Sequence, residues 1–129
     1  MNDVKRKVLV IEDEGPLREI LMDELKEKLD VEVFGAKNGK VGLEEALAKH
    51  PDIILLDLVM PTMDGMTMLD ELRKDAWGKT AHVLILTNLE NDIEKTTKAV
   101  GHNVYEYIVK TRWSLIDVVK RVKEKLELI

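Results

Sequence analysis

Ile-Ile-Leu-Leu-Asp, residues 53–57, is the stretch that decides the fold of this 129-residue chain. A short, continuous apolar run with β-branched residues is typical of a strand buried on both faces, as in a parallel sheet. The pattern recurs three times, in runs at 8–11, 83–86 and 104–109 that end at Glu12-Asp13, Thr87 and Lys110. Because ligands bind beyond the carboxyl ends of parallel strands, we expect three carboxylates, a hydroxyl and an ammonium at one edge of one sheet.

Helical patterns follow the strands. The stretch 31–34 alternates like a more exposed strand, and Pro16 suits the first turn of a first helix. A weak helix is predicted over 90–100, and Ser114 with Asp117 predicts a capping box for a terminal helix. Strand and helix thus alternate five times, which indicates an α/β doubly wound sheet. The apolar stripe predicted for the first helix consists of Leu17, Ile20, Leu21, Leu25 and Leu29.

The composition favours one globular domain spanning 1–129, because 45% of the residues are hydrophobic and the chain is short. The absence of cysteine excludes thiolate chemistry. A net charge of −5 argues against direct nucleic-acid binding, which needs clustered Lys and Arg. The first apolar stretch is too short for a signal peptide and nothing approaches a membrane span, so we expect a cytoplasmic protein that does not bind membranes.

The charge is unevenly distributed along the chain. Residues 1–90 carry 19 acidic and 12 basic side chains, whereas 91–129 carry 6 acidic and 8 basic ones. A solvated face of the terminal helix would explain this excess of positive charge. The alternative is a docking face for an acidic partner.

The groups at the strand ends suggest a chemistry. Glu12, Asp13 and Asp57 would repel one another, and Lys110 alone would leave the site near −2, so a cation is expected there. Oxygen ligands without His or Cys favour Mg²⁺ or Mn²⁺. Thr87 and Lys110 beside a metal resemble the parts that hold a phosphoryl group, and a carboxylate such as Asp57 can act as its acceptor.

A specific motif, Met-Pro-Thr-Met-Asp-Gly, follows Asp57 at residues 60–65. Together with Glu12-Asp13, Thr87, Tyr107 and Lys110, it resembles the receiver domain of two-component response regulators, in particular the stand-alone, chemotaxis-regulator-like type. The resemblance extends from about Lys5 to Leu126. It implies a (βα)₅ flavodoxin-like doubly wound sheet of five parallel strands in the order 2-1-3-4-5.

The resemblance also implies a role for each carboxylate. Asp57 would accept a phosphoryl group from a histidine kinase or phosphotransfer protein, or from a small donor such as acetyl phosphate. Asp13 and Asp57 would bind Mg²⁺, with Glu12 contributing through water and the backbone carbonyl of Val59 supplying a further oxygen. The domain would catalyse only its own phosphorylation and dephosphorylation.

The resemblance further implies a conformational switch. Lys110 would pair with one phosphoryl oxygen, and Thr87 would move to hydrogen-bond another. Tyr107 would then turn from exposed to buried and rearrange the surface formed by the predicted helix at 90–100, the fifth strand and the terminal helix. Such a two-state element would be biased by the new local charge.

Two positions near the expected site depart from the family pattern, and two others affect how fast the phosphoryl group is lost. Thr111 stands where the family usually has proline, so we expect a trans peptide bond or an adjusted loop, since a cis bond there costs about 3–4 kcal/mol. Asn88 is larger than the usual residue after Thr87. Val59 and Leu89 are both apolar and cannot orient a hydrolytic water, which predicts slow autodephosphorylation.

The sequence is also compatible with other functions. One is a phosphorylation-independent interaction module with the same fold. A phosphatase of the haloacid dehalogenase type would need a second Asp, which Asp57-Leu58-Val59 lacks, and a flavodoxin-like nucleotide-binding protein would need a Gly-rich loop after the first strand. The downstream protein partner is unknown, the chain is either stand-alone or part of a longer regulator, and a monomer or a phosphorylation-dependent dimer are both compatible with the sequence.

Overall fold

The computed structural model describes residues 5–58, 60, 62–87, 104–109 and 114–127, with the backbone alone for Thr87 and 104–109. Parallel strands pair in the order β2-β1-β3-β4, and the backbone of β5 continues the sheet beside β4. The predicted α/β doubly wound parallel sheet is thereby confirmed. The strands are β1 (Arg6–Ile11), β2 (Val31–Ala36), β3 (Ile53–Asp57), β4 (Val83–Thr87) and β5 (Val104–Val109).

Helices cover both faces of this sheet. Side chains of α1 and α4 pack into one apolar core, and those of α2 and α3 pack into the other. The helix predicted over 90–100 lies outside the described residues. Across the described part of the chain, no helix is long and apolar enough to cross a membrane. The helices are α1 (Gly15–Lys28), α2 (Gly39–Lys49), α3 (Gly65–Lys74) and α4 (Leu115–Glu127), with a short 3₁₀ turn at Gly78–Thr80.

The central strand β3 is buried along its whole length. Successive side chains point to opposite faces, so Ile54 and Leu56 enter the core under α2 and α3 whereas Ile53 and Leu55 enter the core under α1 and α4. Each fully buried aliphatic side chain contributes about 1.5–3 kcal/mol relative to exposure. Burial on both faces explains why an uninterrupted apolar run forms a strand here. The strand ends at Asp57, where the apolar run gives way to a charged residue.

Side-chain caps fix where the helices start. The predicted capping box is confirmed, because the backbone N–H of Ser114 donates to Asp117 Oδ2 and the N–H of Asp117 donates to Ser114 Oγ, both at 3.3 Å. Asn38 Oδ1 accepts from the N–H of Val41 at 2.9 Å at the start of α2. These caps satisfy backbone donors that have no partner within the helix.

One member of the predicted stripe on α1 is misplaced. Leu21 and Leu25 are fully buried, but Ile20 is 47% exposed. Ile20 precedes Leu21 by one residue and is therefore rotated about 100° away from it around the helix axis. The prediction that Ile20 shares one apolar stripe with Leu21 and Leu25 is wrong, because the side chain of Ile20 lies at the surface of α1.

Candidate metal and phosphoacceptor site

The site lies where β1 and β3 end side by side. Ile11 pairs with Leu56 in the sheet, so the residues that follow these two positions lie at the same level. Those residues are Glu12, directly after β1, and Asp57, the last residue of β3. The backbone N–H of Glu12 also donates to the carbonyl of Ala36 at 3.0 Å, which ties the end of β1 to the end of β2.

The structure brings together the three carboxylates that the sequence places at one edge. One carboxylate oxygen each from Glu12, Asp13 and Asp57 lies within 4.8 Å of the others, and we call these three residues the acidic cluster. Glu12 is 1% exposed and Asp57 is 4% exposed, whereas Asp13 is the most exposed of the three. The cluster is thus a partly covered group of like charges with its opening at Asp13.

Hydrogen bonds hold Glu12 in place. Its Oε2 accepts from the backbone N–H of Glu14 at 3.2 Å. Its backbone carbonyl accepts from Arg18 Nη1 at 2.8 Å, so the second turn of α1 is tied to the end of β1. The sequence prediction missed Arg18, and the only signal for it is a basic residue early in the helix that follows an acidic strand end.

The loop after Asp57 closes tightly against the sheet. The N–H of Gly65 donates to the carbonyl of Leu58 at 2.9 Å, and Asp64 Oδ1 caps α3 by accepting from the N–H of Thr67 at 2.8 Å. A Cβ atom on Gly65 would lie 2.5 Å from the carbonyl oxygen of Asp57. The Asp-Gly pair therefore has a physical role, since Asp64 starts the helix and Gly65 lets the loop pass the backbone of Asp57.

The donor set of the acidic cluster fits a hard divalent cation. Two of its three carboxylates are buried, where charge is poorly solvated, and all three repel one another at this distance. A divalent cation offsets both costs. The ligands are all carboxylate oxygens, which suits Mg²⁺ or Mn²⁺ better than metals that prefer nitrogen or sulfur.

The structure locates only some of the remaining predicted site residues. Thr87 is the last residue of β4, one position beyond the residue that pairs with Asp57. Tyr107 lies in β5, where its backbone pairs with Ile85. Lys110 and Val59 lie outside the described residues, as do Asn88, Leu89 and the Lys110–Thr111 peptide bond.

The opposite, amino edge of the sheet carries paired charges around an open groove of about 370 Å³. Arg6 Nη1 lies 3.9 Å from Asp52 Oδ1, and the rings of His50 and Trp77 stack with centroids 4.3 Å apart. The pKa of His82 is lowered by its burial and by the nearby positive charge of Arg73, while Asp52 opposes that shift. The pKa of Arg73 is itself lowered by burial.

Comparisons with known proteins agree on one family. Residues 8–123 match the model of the response regulator receiver domain. A curated protein-glutamate methylesterase/protein-glutamine glutaminase from Geobacter metallireducens is 34% identical over 124 residues, which are 95% of this chain and 34% of that protein. The chain thus spans about a third of the length of such relatives.

Solved structures give the same result. The chemotaxis protein CheY4 of Vibrio cholerae superposes with a TM-score of 0.83 at 25% identity, covering 94% of this chain and 98% of that one. The response regulator TrrA of Thermotoga maritima, solved with Mg²⁺ and BeF, superposes with a TM-score of 0.79 at 29% identity, covering 93% and 98%.

Proposed function

The chain belongs to the response regulator receiver domain family, and on this premise we propose that Asp57 is its phosphoacceptor. As a receiver it is a signalling domain that interacts with a histidine kinase or phosphotransfer protein and switches on phosphorylation. The observation that supports Asp57 in this role is its position in the acidic cluster, at the end of β3 and beside the covered carboxylate of Glu12.

The proposed reaction is a phosphoryl transfer to a carboxylate oxygen. A bond forms between Asp57 Oδ and phosphorus while the bond from phosphorus to the donor's histidine nitrogen breaks, and the released nitrogen takes up a proton from solvent. Asp57 is well placed for this because β3 lies in the centre of the sheet, paired with β1 on one side and β4 on the other. Most of the catalysis in such a transfer is positioning and charge stabilisation.

We propose that the acidic cluster binds Mg²⁺ or Mn²⁺. Asp13 and Asp57 would be direct ligands, Glu12 would act through water, and the carbonyl of Val59 would complete the protein ligands. The bound ion would neutralise charge on the transferring phosphoryl group. Glu12 keeps its carboxylate oriented through the hydrogen bond from Glu14, so this side chain is prepared to hold a water molecule at a fixed place.

The switch is proposed to involve residues near the carboxyl ends of β4 and β5. Lys110 would neutralise one phosphoryl oxygen and Thr87 would donate a hydrogen bond to another. Tyr107 would follow Thr87, with β4 and β5 already paired over this region. The complete domain is then the (βα)₅ fold in the order 2-1-3-4-5, with its fourth helix over 90–100.

We propose that residues 1–129 form one receiver domain, which catalyses only its own phosphorylation and dephosphorylation. The downstream partner would be a protein, with no direct binding to nucleic acid or membrane. The slow autodephosphorylation expected from Val59 and Leu89 and the cytoplasmic location stay predictions.

Intact mass spectrometry tests the phosphoacceptor. The protein is incubated with acetyl phosphate or phosphoramidate, with and without Mg²⁺, as wild type, Asp57→Ala and Asp70→Ala. Asp70 is an exposed carboxylate on α3 and serves as the matched control. We expect a gain of one phosphoryl group that requires Mg²⁺, persists in Asp70→Ala and is absent from Asp57→Ala.

Two results would contradict the proposal. If wild type gains no phosphoryl group from either donor, the chain is a phosphorylation-independent interaction module, and Thr111 and Asn88 are the first residues to revert. If Asp57→Ala is still phosphorylated, the acceptor is another residue. Circular dichroism of each variant separates loss of the acceptor from loss of the fold.

A further inference from the structure

Two exposed isoleucines lie on neighbouring helices. Among the described residues three large apolar side chains are exposed: Ile20, Ile116 and, on the other face of the sheet, Leu47. Ile20 on α1 is 47% exposed and Ile116 on α4 is 77% exposed. The buried sides of α1 and α4 share one core and the two helices contact each other. Their exposed sides therefore form one continuous surface.

One side of α1 carries an exposed apolar residue followed by three acidic residues. Ile20 is followed at positions +3, +4 and +7 by Asp23, Glu24 and Glu27, and residues with this spacing share one side of a helix. Asp23 and Glu27 are exposed and Glu24 is partly exposed. We call these four residues the acidic side of α1.

One side of α4 repeats that spacing with the opposite charge. Ile116 is followed at +3, +4 and +7 by Val119, Lys120 and Lys123, which we call the basic side of α4. With Lys28 and Leu29 at the end of α1, these residues line an open groove of about 370 Å³. Among the described residues, no carboxylate lies within ion-pair distance of Lys120 or Lys123.

We propose that this surface docks a second copy of the same chain, with α1 of each protomer against α4 of its partner. Both helices follow a strand of a parallel sheet and so run in the same direction. A two-fold axis parallel to the helices places each α1 beside the partner's α4 with both pointing the same way. The acidic side of α1 then lies against the basic side of the partner's α4, so Asp23 and Glu27 lie near the partner's Lys120 and Lys123.

The charge pattern selects this arrangement over the other symmetric one. A two-fold axis perpendicular to the helices would place α1 against α1 and α4 against α4. Carboxylates would then oppose carboxylates and ammonium groups would oppose ammonium groups, which costs free energy in both halves of the interface. The acidic partner for the excess of positive charge in 91–129 is thus α1 of the second copy.

The dimer should be weak and sensitive to salt. The helix α1 has 14 residues, so it is about 21 Å long, and two adjacent helices present a face of roughly 400 Å² per protomer. This area is below that of standard stable interfaces. Exposed charge pairs are also screened by salt. Neither helix side includes the acidic cluster, so dimerisation should not require phosphorylation of Asp57.

Sedimentation equilibrium with a charge swap tests this pairing. Wild type is measured from about 10 to about 500 µM, the range for a weak interface, at about 20 and about 300 mM NaCl. One variant is Lys120→Glu/Lys123→Glu and the other is Asp23→Lys/Glu27→Lys. Each alone should dimerise at least ten-fold more weakly than wild type, whereas an equimolar mixture of the two should form a heterodimer as tight as wild type.

A matched control separates this pairing from a general effect of net charge. Lys40→Glu/Lys74→Glu makes the same change in net charge on exposed residues of α2 and α3, across the sheet, and should dimerise like wild type. Asp57→Ala should also dimerise like wild type, so a failure of the phosphoacceptor proposal would leave this result unchanged.

Three results would overturn the dimer. The first is a wild type that stays monomeric at the highest concentration in low salt, which would leave the basic side of α4 to a partner of another kind. The second is a mixture of the two swap variants that fails to associate although each variant is folded by circular dichroism. The third is a control that loses association as strongly as the swap variants.

Discussion

Charged side chains are arranged in opposite ways at the two edges of the sheet. At the carboxyl edge, the acidic cluster gathers three carboxylates within 4.8 Å, two of them buried. At the amino edge, Asp52 accepts from the backbone N–H of Lys7 at 2.7 Å and pairs with Arg6 at 3.9 Å. Like charges held together lower stability unless a ligand binds, whereas paired opposite charges need no ligand. The contrast separates an edge whose like charges suit a bound cation from an edge whose opposite charges neutralise each other.

The largest expected effect compares a glycine at each edge. A Cβ on Gly65 would lie 2.5 Å from the carbonyl oxygen of Asp57, and a Cβ on Gly78 would overlap the carbonyl oxygen of Leu72. Since backbone must shift in both cases, Gly65→Ala and Gly78→Ala should each lower the free energy of unfolding by about 2–3 kcal/mol. Urea denaturation of both variants measures this loss.

Magnesium distinguishes these two glycine variants. With a Kd of about 1 mM, about 10 mM Mg²⁺ stabilises wild type by about 1.4 kcal/mol. Gly78→Ala should keep that gain because it lies away from the acidic cluster, and Gly65→Ala should lose most of it because the shifted backbone carries Asp57. An equal response to Mg²⁺ in both variants would show that the loop after β3 does not position the metal ligands.

The next prediction compares how an Asp→Asn substitution at each edge changes the free energy of unfolding. Without metal, Asp57→Asn removes one of three repelling charges and should raise the free energy of unfolding by about 1 kcal/mol. Asp52→Asn weakens the bonds to Lys7 and Arg6 and should lower it by about 1 kcal/mol. Urea denaturation in the presence of a chelator gives both values. Changes of the same sign would mean that the two edges do not differ in how they use charge.

Patterns local in sequence predicted the parts of this molecule that depend on neighbouring residues. The apolar run at 53–56 gave the central strand because burial on both faces requires it, and the position of Asp57 followed. The capping box at Ser114 depends on four consecutive residues and was also predictable. The stripe on α1 was right for Leu21 but wrong for Ile20, since spacing alone does not say how wide the buried side is.

Contacts between distant segments could not be predicted from the sequence. Arg18 reaches the carbonyl of Glu12 only because α1 returns over β1. The carbonyl of Met63 accepts from the N–H of Gly39 at 3.0 Å, which joins the loop after β3 to the start of α2. His50 and Trp77 stack although they belong to different connections. Such contacts depend on the path of each loop through space, for which no residue spacing is a guide.

The smallest effect concerns His82 at the amino edge. Arg73 Nη1 donates to the carbonyls of Gly78 and Ala81 at 2.7 and 2.9 Å, which holds its positive charge near His82. The pKa of His82 is lowered by burial and by Arg73, so the folded protein binds the proton less readily than the unfolded chain. The stability associated with neutral His82 is therefore fully present above its unfolded pKa of about 6.5, and it is lost as the pH decreases through that value.

Urea denaturation between about pH 7.5 and pH 5.5 measures this slope. His82→Asn should remove part of the loss of stability at low pH. Asp52→Asn should steepen the loss, because Asp52 opposes the lowering of the His82 pKa. Asp57→Asn, at the other edge, should leave the contribution of His82 unchanged. If Asp57→Asn changed the slope as much as Asp52→Asn does, the two edges would be coupled electrostatically, and the division between a reactive edge and a stabilising edge would fail.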